Sequence, residues 1–306
     1  MEKLYTSTTA KLLHNLHRLI EIKNGVFRPI SVQFAPTDKC NLDCDFCSVK
    51  NREGDEIEIG DAKKAVFDFK NLGAKTIEFT GGGEPTLYKG INELILYSHN
   101  LMYRIGFITN GIKLSKIVDE NLDRLDWLRI SLNSLDYVKD IDVPKIKGTL
   151  GFSYVINDRT TEKTFEKIKQ YKEKYEATYV RIVPNCLSVD TIEESRKKAE
   201  NLLNQSKGFF FQSKKYDVPK RCWIGYLKPF IAPDGYVYAC SANPLIARKF
   251  DPRFRIGHIS NVREIYDRKV FIPFDTSVCQ KGKCFFKEHN DLIEDLLCEI
   301  EHEDFI

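Results

Sequence analysis

The chain has 306 residues, 42% of them hydrophobic and 30% charged, and 47 Lys and Arg against 44 Asp and Glu leave a net charge of +3. A chain of this length buries roughly three quarters of the surface its unfolded form exposes, which excludes disorder, and a charge balance this near neutrality argues against a general nucleic-acid coat protein. No run of about 18 uncharged apolar residues occurs, and the start, Met1-Glu2-Lys3 leading to Lys11, His14 and His17, lacks the apolar core and cleavage site of a secretion signal. The composition reads as that of a cytoplasmic protein with no membrane span. Nine cysteines in a reducing compartment point to metal ligation or catalysis rather than to disulfides.

Residues 1–29 read as an N-terminal amphipathic helix, with Leu12, Leu13, Leu16, Leu19 and Ile20 at helical spacing and Asn24-Gly25 as its stop. From Ile30 the rhythm changes to strand-helix alternation. Strands are predicted over 30–35, 76–80, 104–109, 127–132, 151–156 and 179–183, and helices over 61–72, 90–101, 114–125, 136–146, 161–176 and 190–206. This order implies parallel strands joined by right-handed crossovers, and six such units are too few to close an eight-stranded barrel. The fold class is therefore α/β, with a partial (β/α)6 TIM-like barrel over 30–206. A small cysteine-rich C-terminal domain is predicted over 207–285, with a hairpin turn at Pro233-Asp234-Gly235 and a helix over 261–269. Residues 286–306 read as an acidic helix that packs Leu292, Ile293, Leu296 and Leu297 on the body.

The loop that leaves the first predicted strand reads Cys-Asn-Leu-Asp-Cys-Asp-Phe-Cys over 40–47. Three thiolates this close are expected to converge on one metal centre. Zinc would take a fourth protein ligand, which Asp43 and Asp45 supply poorly, whereas three-cysteine ligation of a cubic iron-sulfur cluster leaves one iron open. The spacing resembles the radical S-adenosylmethionine (SAM) superfamily signature C-x3-C-x-Φ-C, matched by Cys40, Cys44, Phe46 and Cys47. That resemblance implies a 4Fe-4S cluster whose open iron binds SAM and whose electron releases a 5′-deoxyadenosyl radical. The second predicted strand runs into Gly81-Gly82-Gly83-Glu84-Pro85, where glycines allow close backbone approach and a carboxylate can accept from an ammonium. The resemblance makes this the GGE motif, with Gly82, Gly83 and Glu84 at the SAM amino group. Ser131 and Asn133 stand where relatives commonly read Ser-x-Asp and contact the SAM ribose or carboxylate; asparagine at 133 departs from that pattern. Asn110, Asn157 and Arg181 are expected near the same C-terminal rim, as SAM contacts or as turn and rim residues.

Cys222 and Cys240 flank the hairpin, and Cys279 and Cys284 follow it. Four thiolates so placed can hold a tetrahedral zinc or a fully ligated cluster, and spacing does not decide between them. The arrangement resembles the SPASM/twitch extensions of radical SAM enzymes, which implies a second 4Fe-4S cluster in the shorter, twitch form.

An auxiliary cluster facing the cavity that holds the radical favours a two-electron oxidation or oxidative bond formation on a small-molecule or peptide substrate. SAM and an external one-electron donor such as flavodoxin or ferredoxin are the implied partners. Cys186, after the sixth predicted strand, lies where barrel enzymes place their chemistry. As a hydrogen-atom donor it would make the enzyme an epimerase or isomerase; the plainer expectation is an inert thiol. The basic and aromatic stretch Lys207 to Arg221, with Phe209, Phe210, Phe211, Lys214, Lys215 and Tyr216, and the later Arg248, Lys249, Arg253 and Arg255, could bind phosphate, carboxylate or a nucleic acid; the plainer expectation is a solvated basic bridge with three core Phe residues. A modifier of nucleotides or nucleic acid is possible but not favoured, and a non-catalytic iron-sulfur or zinc module is the alternative outside enzymes.

Overall fold

A computed structural model describes residues 2–187, 192–212, 217–245, 247–279 and 284–301. Seven strands, β1 (Ser31–Phe34), β2 (Thr76–Phe79), β3 (Arg104–Thr109), β4 (Trp127–Ser131), β5 (Thr149–Val155), β6 (Tyr179–Val183) and β7 (Phe209–Phe211), pair in chain order and all run parallel. On the other side of β1 the sheet continues with parallel β8 (Phe230–Ile231), then antiparallel β9 (Tyr236–Tyr238) and β10 (Arg255–His258). The winding is that of a partial barrel, as the strand-helix alternation implies.

The strands are two-faced in the sense opposite to a closed, filled barrel. Val32, Phe34, Ile77, Phe79, Phe107, Leu128, Ile130, Phe152, Val180 and Ile182 are at most 1% exposed. They lie under α4 (Ile59–Asn71), α5 (Ile91–Asn100), α7 (Glu162–Lys174) and α8 (Ile192–Gln205). The residues between them, Gln33, Glu78, Arg129 and Arg181, line the bore, because successive strand side chains point to opposite faces. Glycines at 106 and 151 make room in that bore: a Cβ there would stand 2.2 Å from the rings of Trp127 and Tyr179 respectively.

Four expectations are corrected. The N-terminal helix is three short ones, α1 (Glu2–Tyr5), α2 (Thr9–Leu13) and α3 (Leu16–Lys23). Thr8 is extended, and Asn15, whose side-chain amide donates back to the Lys11 carbonyl, stands at the second break. Such local side-chain bonds compete with helix propagation. In consequence Leu13, Leu16 and Ile20 are more than half exposed, while Leu12 and Ile22 carry the packing. The helix predicted over 114–125 shrinks to a 3-10 turn and α6 (Asp119–Leu122), because Asn92 of α5 satisfies the Lys116 carbonyl and the Val118 N–H instead. That predicted over 136–146 is irregular after a 3-10 turn at Leu132–Asp136. The sheet crosses the domain boundary expected at 206, since Phe209–Phe211 extends it and the C-terminal hairpin joins it at β1; Lys214, Lys215 and Tyr216 lie outside the described residues.

Two further helices, α9 (Ile224–Leu227) and α10 (Arg263–Tyr266), lead to α11 (Lys287–Leu297), the acidic helix read from the tail; residues 302–306 lie outside the described set. This helix does more than bury an apolar stripe. Asn290, fully buried, accepts from the Trp223 and Ile224 N–H groups at 2.6 and 3.0 Å and donates to the Phe286 carbonyl, which ties the Cys222 segment to the helix. His289 beside it is 3% exposed, against Phe286, with neither ring nitrogen hydrogen-bonded among the described residues. Burial, and then the charge of Lys228, push its pKa down to about 4, against the opposing charge of Glu288 and, less, the Thr8 main chain.

The neutral imidazole carries a pH dependence. Between pH 4 and 6.5 the unfolded chain binds the proton and the folded one does not, so this stability is present above pH 6.5 and drains away toward pH 4, by about 3 kcal/mol at most. In His289→Leu the thermal midpoint should fall less than in wild type over that window; parallel curves for the two proteins would refute the assignment.

Candidate active site

The loop after β1 carries Cys40, Cys44 and Cys47, all half-buried. Burial pushes the Cys40 thiol up and that of Cys44 up to about 11, and the three sulfurs act on one another electrostatically. The Arg52 guanidinium donates to Cys47 at 3.4 Å, and the Leu42 main chain beside Cys40 and the Tyr137 hydroxyl beside Cys44 pull those thiols down against burial. Among the described residues no three His, Cys, Asp or Glu side chains are placed to hold a single metal ion. A cubic cluster asks for something else, one thiolate on each of three separate irons, and three half-buried cysteines spaced along one loop fit that. The loop is clamped from far along the chain. Arg248, in the left-handed region at φ 56°, donates to the Asp45 carbonyl at 2.5 Å and the Cys47 carbonyl at 2.9 Å.

The glycine loop after β2 packs against the cysteine loop backbone to backbone. Gly83 N–H donates to the Thr37 carbonyl and Glu84 N–H to that of Lys39. A Cβ on Gly83 would stand 2.1 Å from the Lys39 carbonyl oxygen, so only glycine fits. Glu84 is 2% exposed. One carboxylate oxygen accepts from the Thr86 N–H, the Thr86 hydroxyl and the Thr109 hydroxyl at 3.0, 2.8 and 2.6 Å, and the other from the Asn110 N–H at 2.7 Å. Burial pushes its pKa up against the pull of these donors. The oxygen that takes three donors is fully used, the other keeps acceptor capacity, and the side chain joins the ends of β2 and β3.

Asn110 continues the tie: its amide donates to Asn41 Oδ1 at 2.7 Å while its own oxygen closes a turn on the Ile112 N–H. Asn133 is a strand linker, bonding the Val155 carbonyl at 2.9 Å and N–H at 2.7 Å. Asn157 donates to Asp136 and the Val155 carbonyl and accepts from the Arg159 N–H. Both amides are therefore occupied in scaffolding at the ends of β4 and β5. Ser131, half-buried, touches only Asn133, at 3.5 Å, through its hydroxyl. Arg181 points into the bore below the rim, donating to Gln212 Oε1 at 3.1 Å.

The second cysteine set also comes together. Cys222 is pushed up by burial and then by Cys240, Cys279 and Cys284, and Cys279 is pushed up to about 12. Two of these sulfurs accept the N–H of the residue two positions on, Ala242 to Cys240 and Phe286 to Cys284, both at 3.3 Å. The main chain of Ile224 pulls the Cys222 thiol down against burial, as that of Leu42 does Cys40. Hydrogen bonds to sulfur stabilise thiolate and tune bound iron-sulfur groups, so Cys222, Cys240, Cys279 and Cys284, half-buried and mutually repelling as anions, suit a cationic thiophilic group.

Between the two sets lies a cavity of about 310 Å³. Ser48, next to Cys47, and Gly81 border it on one side; Ser241, next to Cys240, and Phe285, next to Cys284, on another; Cys186 and Asn185 line it from the end of β6. A larger void, about 750 Å³, opens at the N-terminal ends of the strands beneath residues 4–15; it meets the second cysteine set through Ser241, Phe285 and Phe286 but no residue of the 40–48 loop, and the smaller cavity is the one that borders both sets. The basic residues downstream are spent internally: Arg253 on Asp251, and Arg255 on Asp234 and the Tyr236 ring. Sequence reasoning missed Arg52, Tyr137, Glu78, Arg129 and Lys228. The last three sit in or beside strands as single polar residues among apolar ones, and that alternation is the feature that could have found Glu78 and Arg129.

A family model described as the Radical SAM superfamily matches residues 34–199, more than half of the chain, and the chain belongs to that superfamily. It is thus an enzyme of the group that uses SAM and a 4Fe-4S cluster. It is 32% identical over 144 residues to GTP 3′,8-cyclase of Staphylococcus aureus, 42% of this chain and 42% of that protein. To GTP 3′,8-cyclase of Staphylococcus saprophyticus it is 32% identical over 132 residues, 38% of each. The chain spans under half the length of these curated relatives. Its fold is similar to that of Streptococcus suis SuiB bound to S-adenosylmethionine, with a TM-score of 0.59 at 15% identity, covering 87% of this chain and 73% of that one. SuiB bound to its precursor peptide SuiA gives 0.57 at 14% identity, covering 86% and 71%.

The glycine loop yields a paired prediction. Gly83→Ala forces a methyl into the Lys39 carbonyl and should lower stability by about 1–3 kcal/mol and weaken SAM binding. Gly60→Ala, in α4 with open space around it, should leave binding unchanged and raise stability by about 0.5–1 kcal/mol. Calorimetric titration with SAM and thermal unfolding of both variants check this.

Proposed function

We propose that the chain performs a radical SAM reaction on a substrate held between two iron-sulfur clusters, one on Cys40, Cys44 and Cys47 and an auxiliary one on Cys222, Cys240, Cys279 and Cys284, with net two-electron oxidation or oxidative bond formation as the outcome. The observation that carries this reading is the cavity bounded by the neighbours of both cysteine sets. When bound, the first cluster and SAM supply a 5′-deoxyadenosyl radical that abstracts a substrate hydrogen. The protein's part is to hold, orient and keep dry. Arg52 and Tyr137 offset the charge of the thiolates they touch. The main chain of Gly82 and Gly83 faces the SAM amino group, with Phe46 and the Ser131 hydroxyl beside the rest of the cofactor. Glu84, Asn110, Asn133 and Asn157 act one step back, fixing the loops that make those contacts. Asp136, bonded by Tyr154 and Asn157, belongs to the same support. A small molecule or a peptide is the substrate class, and an external one-electron donor completes the turnover.

One position favours a second reading. Cys186 lines the cavity, where a thiol can return a hydrogen atom to a substrate radical and give epimerisation without net oxidation.

Two results follow. Anaerobically reconstituted protein should bind about eight irons, and the triple variant with Ala at 40, 44 and 47 about four, with 5′-deoxyadenosine production from SAM abolished; continued production in that variant, or zinc in place of the remaining iron, would overturn the respective cluster assignment. Cys186→Ala should still convert substrate if the reaction is oxidative. Formation of 5′-deoxyadenosine without product in that variant would move the enzyme to the epimerase class.

A further inference from the structure

The floor of the cavity is a layer of charge with an unusual balance. Glu78 is its one carboxylate, held by the Gln33 amide at 2.6 Å and by Lys228 at 3.8 Å. Burial opposes its ionisation, but the fields of Lys228, Arg129 and Arg181 prevail and hold its pKa below the usual range. Three cations thus face one anion. Arg181 has a single neutral partner, Gln212, and its Nε is buried with none. Arg129 stacks on the Trp127 ring at 5.3 Å, and its Nε too is buried without a partner. No acceptor among the described residues takes its guanidinium. Burial and the charge of Arg129 lower Arg181 to about 9.

Unpaired buried cations are costly, and apolar residues of similar size would hold such a layer more stably. A pair of guanidiniums aimed at a cavity suits an oxyanion, for which the planar donor fork is shaped. We propose that Arg129 and Arg181 form an anion subsite in the bore that seats a phosphate or carboxylate group of a small-molecule substrate, with Lys228 and Glu78 balancing the charge behind it. Gln33, Glu78, Arg129, Arg181 and Gln212 line both the cavity and the void below it, so the subsite is reached from the chamber while the reactive end of the molecule stays level with the cysteine loops. This rests on the reading of the cavity as the substrate chamber.

The test follows thermal unfolding of reconstituted holoprotein against rising inorganic phosphate or acetate, with sodium chloride at matched ionic strength. Wild type should show a saturable rise in midpoint with one or both anions. Arg129→Met and Arg181→Met should each lose at least tenfold in apparent affinity, whereas Lys89→Met, at an exposed position, should not. Because the variants remove buried charge, their midpoints without anion should equal or exceed that of wild type, which separates lost binding from lost folding. A response to phosphate alone assigns a phosphorylated substrate, and one to acetate alone a carboxylic acid. No saturable response in wild type, or an undiminished response in both arginine variants, overturns the subsite. So does a tenfold loss of SAM affinity in Arg129→Met with the anion response intact, which gives the pair to SAM. Formation of 5′-deoxyadenosine by wild type without substrate is measured alongside: its absence counts against the radical reading whatever the anions do, and its presence without an anion response counts against the subsite alone.

Discussion

The site depends on a buried carboxylate whose four donors come from two strand ends. Glu84 binds Thr86 on its own loop and Thr109 and Asn110 at the end of β3, while its N–H holds the Lys39 carbonyl just before the first cysteine. Asn110 then reaches Asn41, just after it. Three parallel strands, whose backbone groups are consumed by the ladder, are in this way fastened at the one end where loops are free to vary. Removing such an acceptor leaves several donors dry at once, and each unsatisfied group costs about 1–3 kcal/mol. The glycines beside it are as constrained: the spacing that lets Gly83 sit on Lys39 leaves no room for a methyl.

Around this tie the strands invert the usual economy of a small barrel. Their apolar face lies under the helices, and their polar face lines a bore that side chains do not fill. A chamber with arginine, glutamate and glutamine in its wall, and cysteines at its upper border, can keep water out of a radical reaction only while something polar occupies it. That requirement links the electrostatics of the floor to the chemistry at the rim.

Much of this was legible in the sequence, and the reasons for success and failure are physical. The barrel strands could be read because β-rich runs between helical stretches leave few alternatives, and β3 and β6 fall where expected. The cysteine loop could be read because its spacing admits few chemistries. The short strand Phe209–Phe211 looked like a basic aromatic bridge, since three residues carry no period. The helices expected at 114–125 and 136–146 failed because a distant amide, Asn92, outbid the local ladder in the first, and because propensity has no knowledge of such partners. At the site, resemblance places Asn133 at a cofactor contact and leaves Asn157 as a contact or a turn former, and the fold spends both amides on Val155. Which atoms an amide is free to offer depends on the fold around it. Arg52 and Tyr137 were invisible for the same reason, being near the sulfurs only in space.

Arg248 joins the first cysteine loop to a part of the chain 201 residues further on. Asn51 strengthens the seam by donating to the carbonyls of Ala247 and Arg248. During synthesis the loop emerges and can meet iron long before its clamp exists. The backbone of the first cysteine loop is thus held by a contact of long sequence separation, and its final geometry requires the chain as far as Arg248.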